Sequence, residues 1–153
     1  MKVLFVCLGN ICRSPLAEAI FKHKMRTSDS ANAWESDSCA TSNYHVDDLP
    51  DPRTIKNALK NGVQIKHRGR QIKPADLEEF DLILAMDRAN YNGILELTNA
   101  FTYAHKVQLI RNYDPQGGKE VPDPYYCGEK EFQEVFDILN RSIDSLIESL
   151  KKN

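Results

Sequence analysis

The chain has 153 residues, enough for a single domain spanning 1–153 that buries roughly two-thirds of its unfolded surface without a metal or disulfide staple. Twenty basic residues against twenty-two acidic ones give a net charge of −2, which argues against nucleic acid as the main ligand and requires any anion site to be local. The apolar start Met1-Lys2-Val3-Leu4-Phe5-Val6 is too short for a signal peptide, and no apolar run approaches the ~18 residues of a membrane span. A cytoplasmic protein is expected, whose four cysteines are read one at a time rather than as a disulfide set.

Lys2 to Val6 reads as a buried strand, short and continuously apolar, ending at Gly9-Asn10. Pro15 suits the first turn of a helix, with Ser14 as its N-cap and Leu16, Ala17, Ile20 and Phe21 on its apolar face. That helix fades into the polar stretch Thr27 to Asn32. A second strand is expected from Trp34 to Ala40, then a loop from Thr41 to Arg53 and a helix from Arg53 to Asn61 that stops at Gly62. Lys73-Pro74-Ala75-Asp76 opens a short helix to Phe80, and Leu82 to Met86 is a third buried strand. Asp87 caps a helix through Leu97, and Val107 to Ile110 is a fourth strand. After a loop from Asn112 to Cys127 rich in Pro, Gly and Asp, apolar residues from Phe132 to Leu150 recur every three or four positions, which predicts a long amphipathic helix. Strands alternating with helices imply an α/β fold whose parallel sheet is covered on both faces, with ligands beyond the carboxyl ends of its strands.

The loop Cys7-Leu8-Gly9-Asn10-Ile11-Cys12-Arg13-Ser14 lies between the first strand and the first helix, where successive backbone N–H groups and a helix N-terminus can hold an anion. Gly9 permits the turn, Asn10 tolerates left-handed backbone, and Arg13 offers a planar fork to two phosphate oxygens. A thiol in that field loses its proton readily and faces the bound phosphate ester as a nucleophile. The Ser14 hydroxyl can hydrogen-bond the Cys7 sulfur and help it leave later. A Cys and an Arg six positions apart occur by chance quite often; the strand before them and the Ser-Pro helix start after them carry the reading.

A leaving phenoxide needs a proton, and Asp123 in Val121-Pro122-Asp123-Pro124-Tyr125-Tyr126 is the candidate acid. Its loop follows the fourth strand and so leaves the same end of the sheet. Taken alone, the segment reads first as a Pro-Asp-Pro turn with partly buried tyrosines. Cys39 reads as core, Cys127 as a partly exposed thiol, and His23, His45 and His105 as surface residues. No zinc spacing links cysteines and histidines, and no metal or cofactor is expected. Lys66-His67-Arg68-Gly69-Arg70 reads as a solvated face that could attract an acidic phosphoprotein.

Val6-Cys7-Leu8-Gly9-Asn10-Ile11-Cys12-Arg13-Ser14-Pro15 together with Asp123-Pro124-Tyr125-Tyr126 resembles the low-molecular-weight protein tyrosine phosphatases. The resemblance runs the length of the chain through Ala40-Thr41-Ser42, Asp51-Pro52-Arg53, Met86-Asp87 and Tyr113-Asp114-Pro115. It implies a three-layer flavodoxin-like fold with a four-stranded parallel sheet. It implies that Cys7 attacks phosphorus, that Arg13 and the loop amides hold the phosphoryl group, and that Asp123 protonates the leaving phenol before serving as base for the water that hydrolyses phosphocysteine. Asn10 and Ser38 then match positions that hold the loop's shape. Leu8, Ile11, Tyr44, Tyr125 and Tyr126 match pocket walls, Gly9, Cys12 and Ser14 complete the loop, and His67 and Asp87 match positions that pair structurally in the family. Cys12 reads either as a small packed residue or, by the resemblance, as the partner of Cys7 in a reversible disulfide. Expected partners are phosphotyrosine-containing proteins, with a tyrosine kinase as one candidate, and inhibition by phosphate-like anions and a monomer or weak dimer are expected.

Three other activities share such a loop. An arsenate reductase needs a distant, closely spaced cysteine pair, which does not follow the central strand here. A protein arginine phosphatase of the same family typically has a small polar residue at the position of Ile11. A phosphocysteine carrier has no need of Asp123 to protonate a phenol.

Overall fold

The computed structural model describes residues 1–28, 33–97 and 100–152. Its sheet contains β1 (Lys2–Cys7), β2 (Glu35–Ala40), β3 (Leu82–Ala85) and β4 (Val107–Leu109), all parallel in the order β2-β1-β3-β4. Six α-helices are described: α1 (Arg13–Arg26), α2 (Pro52–Lys60), α3 (Pro74–Glu79), α4 (Arg88–Leu95), α5 (Ala100–Tyr103) and α6 (Glu129–Lys151). The expected three-layer α/β architecture is observed.

The central strand explains the layering. Val3, Leu4, Phe5 and Val6 are all fully buried, and because strand side chains alternate they feed two separate cores. Val3 and Phe5, with Leu82 and Leu84, pack against Ile20 and Phe21 of α1 and Leu139, Ile143 and Leu146 of α6. Leu4 and Val6, with Ile83 and Ala85, pack on the opposite face against Leu77 of α3 and Ile94 of α4. Each such aliphatic or aromatic side chain taken out of water contributes about 1.5–3 kcal/mol. The α6 stripe predicted from periodicity is therefore the lid of the first core.

The sequence boundaries hold to within a few residues, with informative departures. Trp34 precedes β2, and Pro52 rather than Arg53 opens α2, with the Asp51 side chain accepting the N–H of Arg53 as a cap. Ser14 does not cap α1; the cap position is Cys12, without a side-chain bond, because the Ser14 hydroxyl is directed to sulfur. Ile110, expected to end β4, instead begins a 3₁₀ turn to Tyr113. The short α5 has no predicted counterpart. In the polar stretch expected to follow α1, positions 29–32 lie outside the described residues. Among the described residues no helix is long and apolar enough to cross a membrane.

Between β1 and β3 the chain direction away from β1 reverses, with β2 on one side and β3 and β4 on the other. Such a switch point opens a crevice at the carboxyl ends of the strands. Two segments meet there: the turn from Cys7 into α1, and the segment after β4, whose Val121 N–H donates to the Met86 carbonyl at 2.8 Å.

Candidate active site

The turn after β1 is shaped by one residue in left-handed backbone, Asn10, at φ 57°. Its side chain is fully buried and pins the turn from inside. The Nδ2 group donates to Ser14 Oγ at 2.8 Å and Ser38 Oγ at 3.0 Å, while Oδ1 accepts the Arg70 N–H at 3.1 Å and faces His67 Nε2 at 2.6 Å. Gly9 spares the turn a Cβ clash, as its residue type predicts. Its φ is not positive, and a Cβ there would meet the His45 ring at 3.1 Å, so the glycine makes room for an imidazole.

Two donors converge on Cys7 Sγ. The Asn10 N–H points at the sulfur from 3.3 Å, and Ser14 Oγ lies 3.0 Å away. Because Ser14 Oγ already accepts from Asn10 Nδ2, its own proton is available to the sulfur, with the Cys39 carbonyl a longer alternative at 3.4 Å. Arg13 is buried, and its Nη1 donates to Asp87 Oδ2 at 2.7 Å and to the Val121 carbonyl at 3.0 Å. Burial works against the Arg13 charge, but Cys7 and Asp87 beside it raise its pKa above the ordinary value. Asp87 also accepts the Asn90 N–H and so caps α4 while holding Arg13.

Asp123 reaches the same place through the Val121 anchor. Its Oδ2 lies 3.7 Å from Arg13 Nη2, and its Oδ1 accepts the Tyr125 N–H at 3.1 Å. The carboxyl is 45 % exposed, so it faces the opening rather than the core. Cys7, Arg13 and Asp123 line one open pocket of about 320 Å³, walled by Leu8, Ile11, Tyr44, Tyr125 and Tyr126 and also lined by Gly9 and Cys12. Tyr126 is 94 % exposed and stands at the rim, its ring in edge contact with Tyr125 at 4.9 Å.

Asn10, Ser14 and Ser38 lie behind the pocket rather than in its wall. His67 and Asp87 share no hydrogen bond with each other; His67 supports the Asn10 side of the turn and Asp87 the Arg13 side. Cys12 is a buried free thiol whose pKa burial pushes up to about 12. Cys39 is fully buried in the second core and Cys127 is exposed. His45, expected on the surface, lines the pocket with its Nδ1 held by Asp48 at 3.0 Å.

Several contributing residues carry no recognisable sequence signal. Glu18 is a buried carboxylate that accepts from Ser38 Oγ at 2.7 Å, lies 3.2 Å from His67 Nδ1 and pairs with Lys22. Burial outweighs the opposing pull of Glu18 and Asp37 and holds the His67 pKa below its ordinary value. Its ring nitrogens face two oxygens, Nε2 toward Asn10 Oδ1 and Nδ1 toward Glu18 Oε1, so the ring ties α1 to the turn. Arg53 joins the two halves of the site. It is bidentate to Asp51, whose N–H donates to the Ile11 carbonyl, and it donates to the carbonyls of Tyr125 at 2.8 Å and Cys127 at 3.4 Å. The only sequence clue to Glu18 is its place one helical turn beyond Ser14.

A family model described as low molecular weight phosphotyrosine protein phosphatase matches residues 2–153. The Gallus gallus low molecular weight phosphotyrosine protein phosphatase is 40% identical over 95% of this chain and 93% of its own length. The Homo sapiens protein of that name is 38% identical over 95% and 93%. The crystal structure of a protein tyrosine phosphatase from Entamoeba histolytica superposes with a TM-score of 0.94 at 38% identity, covering 99% of this chain and 97% of that one.

Proposed function

The chain belongs to the low molecular weight phosphotyrosine protein phosphatase family and is a protein-tyrosine-phosphatase, and on that premise we propose that it works through a phosphocysteine on Cys7, with Arg13 as the phosphoryl clamp and Asp123 as the acid and then the base. The observation that carries this reading is the convergence on one pocket of Cys7 and Arg13, from the two ends of the turn after β1, with Asp123 from a loop more than a hundred residues later. The Cys7 sulfur forms the S–P bond as the P–O bond to the phenol breaks, and the Asp123 carboxyl gives its proton to the departing oxygen. Backbone N–H groups of the turn and Arg13 hold the phosphoryl oxygens as charge spreads over them. Asp123, now a carboxylate, takes a proton from water; the new O–P bond forms, the P–S bond breaks, and Ser14 donates to the departing sulfur.

The apolar walls at Leu8 and Ile11 and the tyrosines at the rim support an aromatic phosphate ester, delivered on phosphotyrosine-bearing proteins in the cytoplasm. Cys12 adds a redox brake to the proposal. A peroxide oxidises Cys7 to a sulfenic acid, and the Cys12 thiol displaces water from it to close a disulfide that thiols reopen. Its location in the same pocket lining supports this, while its raised pKa slows the closing step.

Asp123→Asn tests the acid role. Its kcat/KM on a phosphotyrosine peptide is expected to fall by about 10²–10⁴-fold, and by much less on an aryl phosphate whose leaving phenol is strongly acidic. Equal losses on both substrates would remove Asp123 from proton transfer.

A further inference from the structure

Beside the pocket just described lies a second cavity of about 360 Å³, between α2 and the start of α6. Its lining is basic: Arg53, Lys56, Lys60 and Lys130 surround it, with Glu129 as the one acid and Phe132 among its walls. In a chain of net charge −2 this is a local concentration of cations. Arg53 is neutralised by Asp51, and Lys56 is only loosely paired with Glu129 at 3.7 Å, both side chains being at least 80 % exposed. Lys60 and Lys130 make no ion pair with any described residue.

Helix stability accounts for Lys60, the last residue of α2, where the helix C-terminus favours a cation, but not for the rest of the cluster. Lys130 is the second residue of α6, where the partial positive charge of the helix N-terminus opposes a cation. The groove is also adjacent to the reacting centre. The Arg53 guanidinium lies 5.5 Å from the Tyr125 ring, a wall of the first pocket, and 4.7 Å from the Phe132 ring, which lines the second. The two rings are therefore no farther apart than about three residues of extended peptide, at about 3.3 Å per residue.

We propose that the groove between α2 and α6 is a substrate-docking site that receives an acidic segment of the phosphoprotein, a few residues from the phosphotyrosine seated over Cys7. The proposal rests on the phosphatase reading and adds to it a preference set outside the catalytic pocket. Complementary charge of this kind acts chiefly on encounter and specificity and is screened by salt, so it shows in kcat/KM rather than in the chemical step.

The test compares two phosphotyrosine peptides, one with three acidic residues on either side of the phosphotyrosine and one with glutamines there, alongside a small aryl phosphate. With Lys56→Glu, Lys60→Glu and Lys130→Glu combined, kcat/KM for the acidic peptide is expected to fall about tenfold, with the glutamine peptide and aryl phosphate within about twofold. The corresponding Lys→Gln set, which avoids crowding like charges, is expected to give about a threefold selective loss. Added salt is expected to lower wild-type kcat/KM for the acidic peptide more than for the other two substrates. Equal losses on all three substrates, or no loss on the acidic peptide in either set, would overturn the docking site alone. Failure of the wild type to turn over any of the three would overturn the phosphatase reading with it.

Discussion

Two polar clusters in this fold are each built round a buried side chain and do different things. One surrounds Asn10, with Ser14, Ser38, His67 and Glu18. The other surrounds Asp114, whose carboxylate accepts from Arg111 Nε at 3.0 Å, Arg141 Nε at 2.8 Å and the Gln116 N–H at 2.9 Å. The Asp114 cluster is closed. Its donors and acceptors meet one another, Arg111 goes on to the carbonyls of Gly117 and Glu120, and the result fastens the loop after β4 to α6. The Asn10 cluster is open at one end, where Ser14 and the Asn10 N–H are aimed at a sulfur in a pocket wall. Burial and polarity therefore do not mark a site; an unspent donor directed at a reactive atom does.

The sharpest way to break this contrast is Asn10→Ala. It leaves Ser14, Ser38, His67 and the Arg70 N–H without a shared partner and puts a Cβ residue with no side-chain hydrogen bond at φ 57°. The expected result is about a 10²-fold fall in kcat/KM on a phosphotyrosine peptide, because the turn that carries Cys7 loses its fixed geometry. Steady-state kinetics on protein shown to be folded by circular dichroism measures it. Loss of stability with unchanged kcat/KM would place the Asn10 cluster in the same class as the Asp114 cluster.

Asp114→Asn is the converse and is expected to act on stability alone, at about 2 kcal/mol in urea unfolding, with kcat/KM within about twofold at a temperature where the variant is folded. The magnitude is discounted because the Arg111 and Arg141 side chains are 17 % and 26 % exposed. The sign with pH is also fixed. Burial would raise the Asp114 pKa, but the hydrogen bonds from Arg141, Gln116 and Arg111 hold it below the ordinary value. The stabilisation is therefore full above the unfolded value of about 3.9 and is lost as pH falls through the folded value. The smallest effect follows: the gap between wild type and Asp114→Asn is expected to stay constant above about pH 5 and close in more acidic urea titrations.

The same contrast explains what could be read from the sequence. β1 was legible because its apolar run feeds both cores, and α6 because its stripe recurs from Phe132 to Leu150. The positions of Cys7 and Arg13 after β1 and of Asp123 after β4 were legible because Gly, Pro and Asn punctuate those loops, whereas an acid role for Asp123 is favoured only with the family resemblance. The four-residue α5 was not, since Phe101 is 95 % exposed and no periodicity develops over so short a span. Ser14 is legible as the neighbour of the Cys7 sulfur but not as a helix cap, because a Ser before Pro signals a cap while its hydroxyl is engaged by sulfur and Asn10. Glu18, Arg53 and Arg70 were illegible as site residues because the partners that tie them to the site lie 20 to 74 positions away in the chain.

The central claim is that the turn after β1 turns Cys7 into the group that carries phosphate. Rapid acid quenching during turnover of an isotopically labelled phosphotyrosine peptide, followed by peptide mapping, tests it most directly. The account predicts a phosphoryl group on Cys7, formed in step with release of the first equivalent of dephosphorylated peptide. Label on any other residue, or turnover with no label on the protein when hydrolysis of the intermediate is slowed, would contradict it.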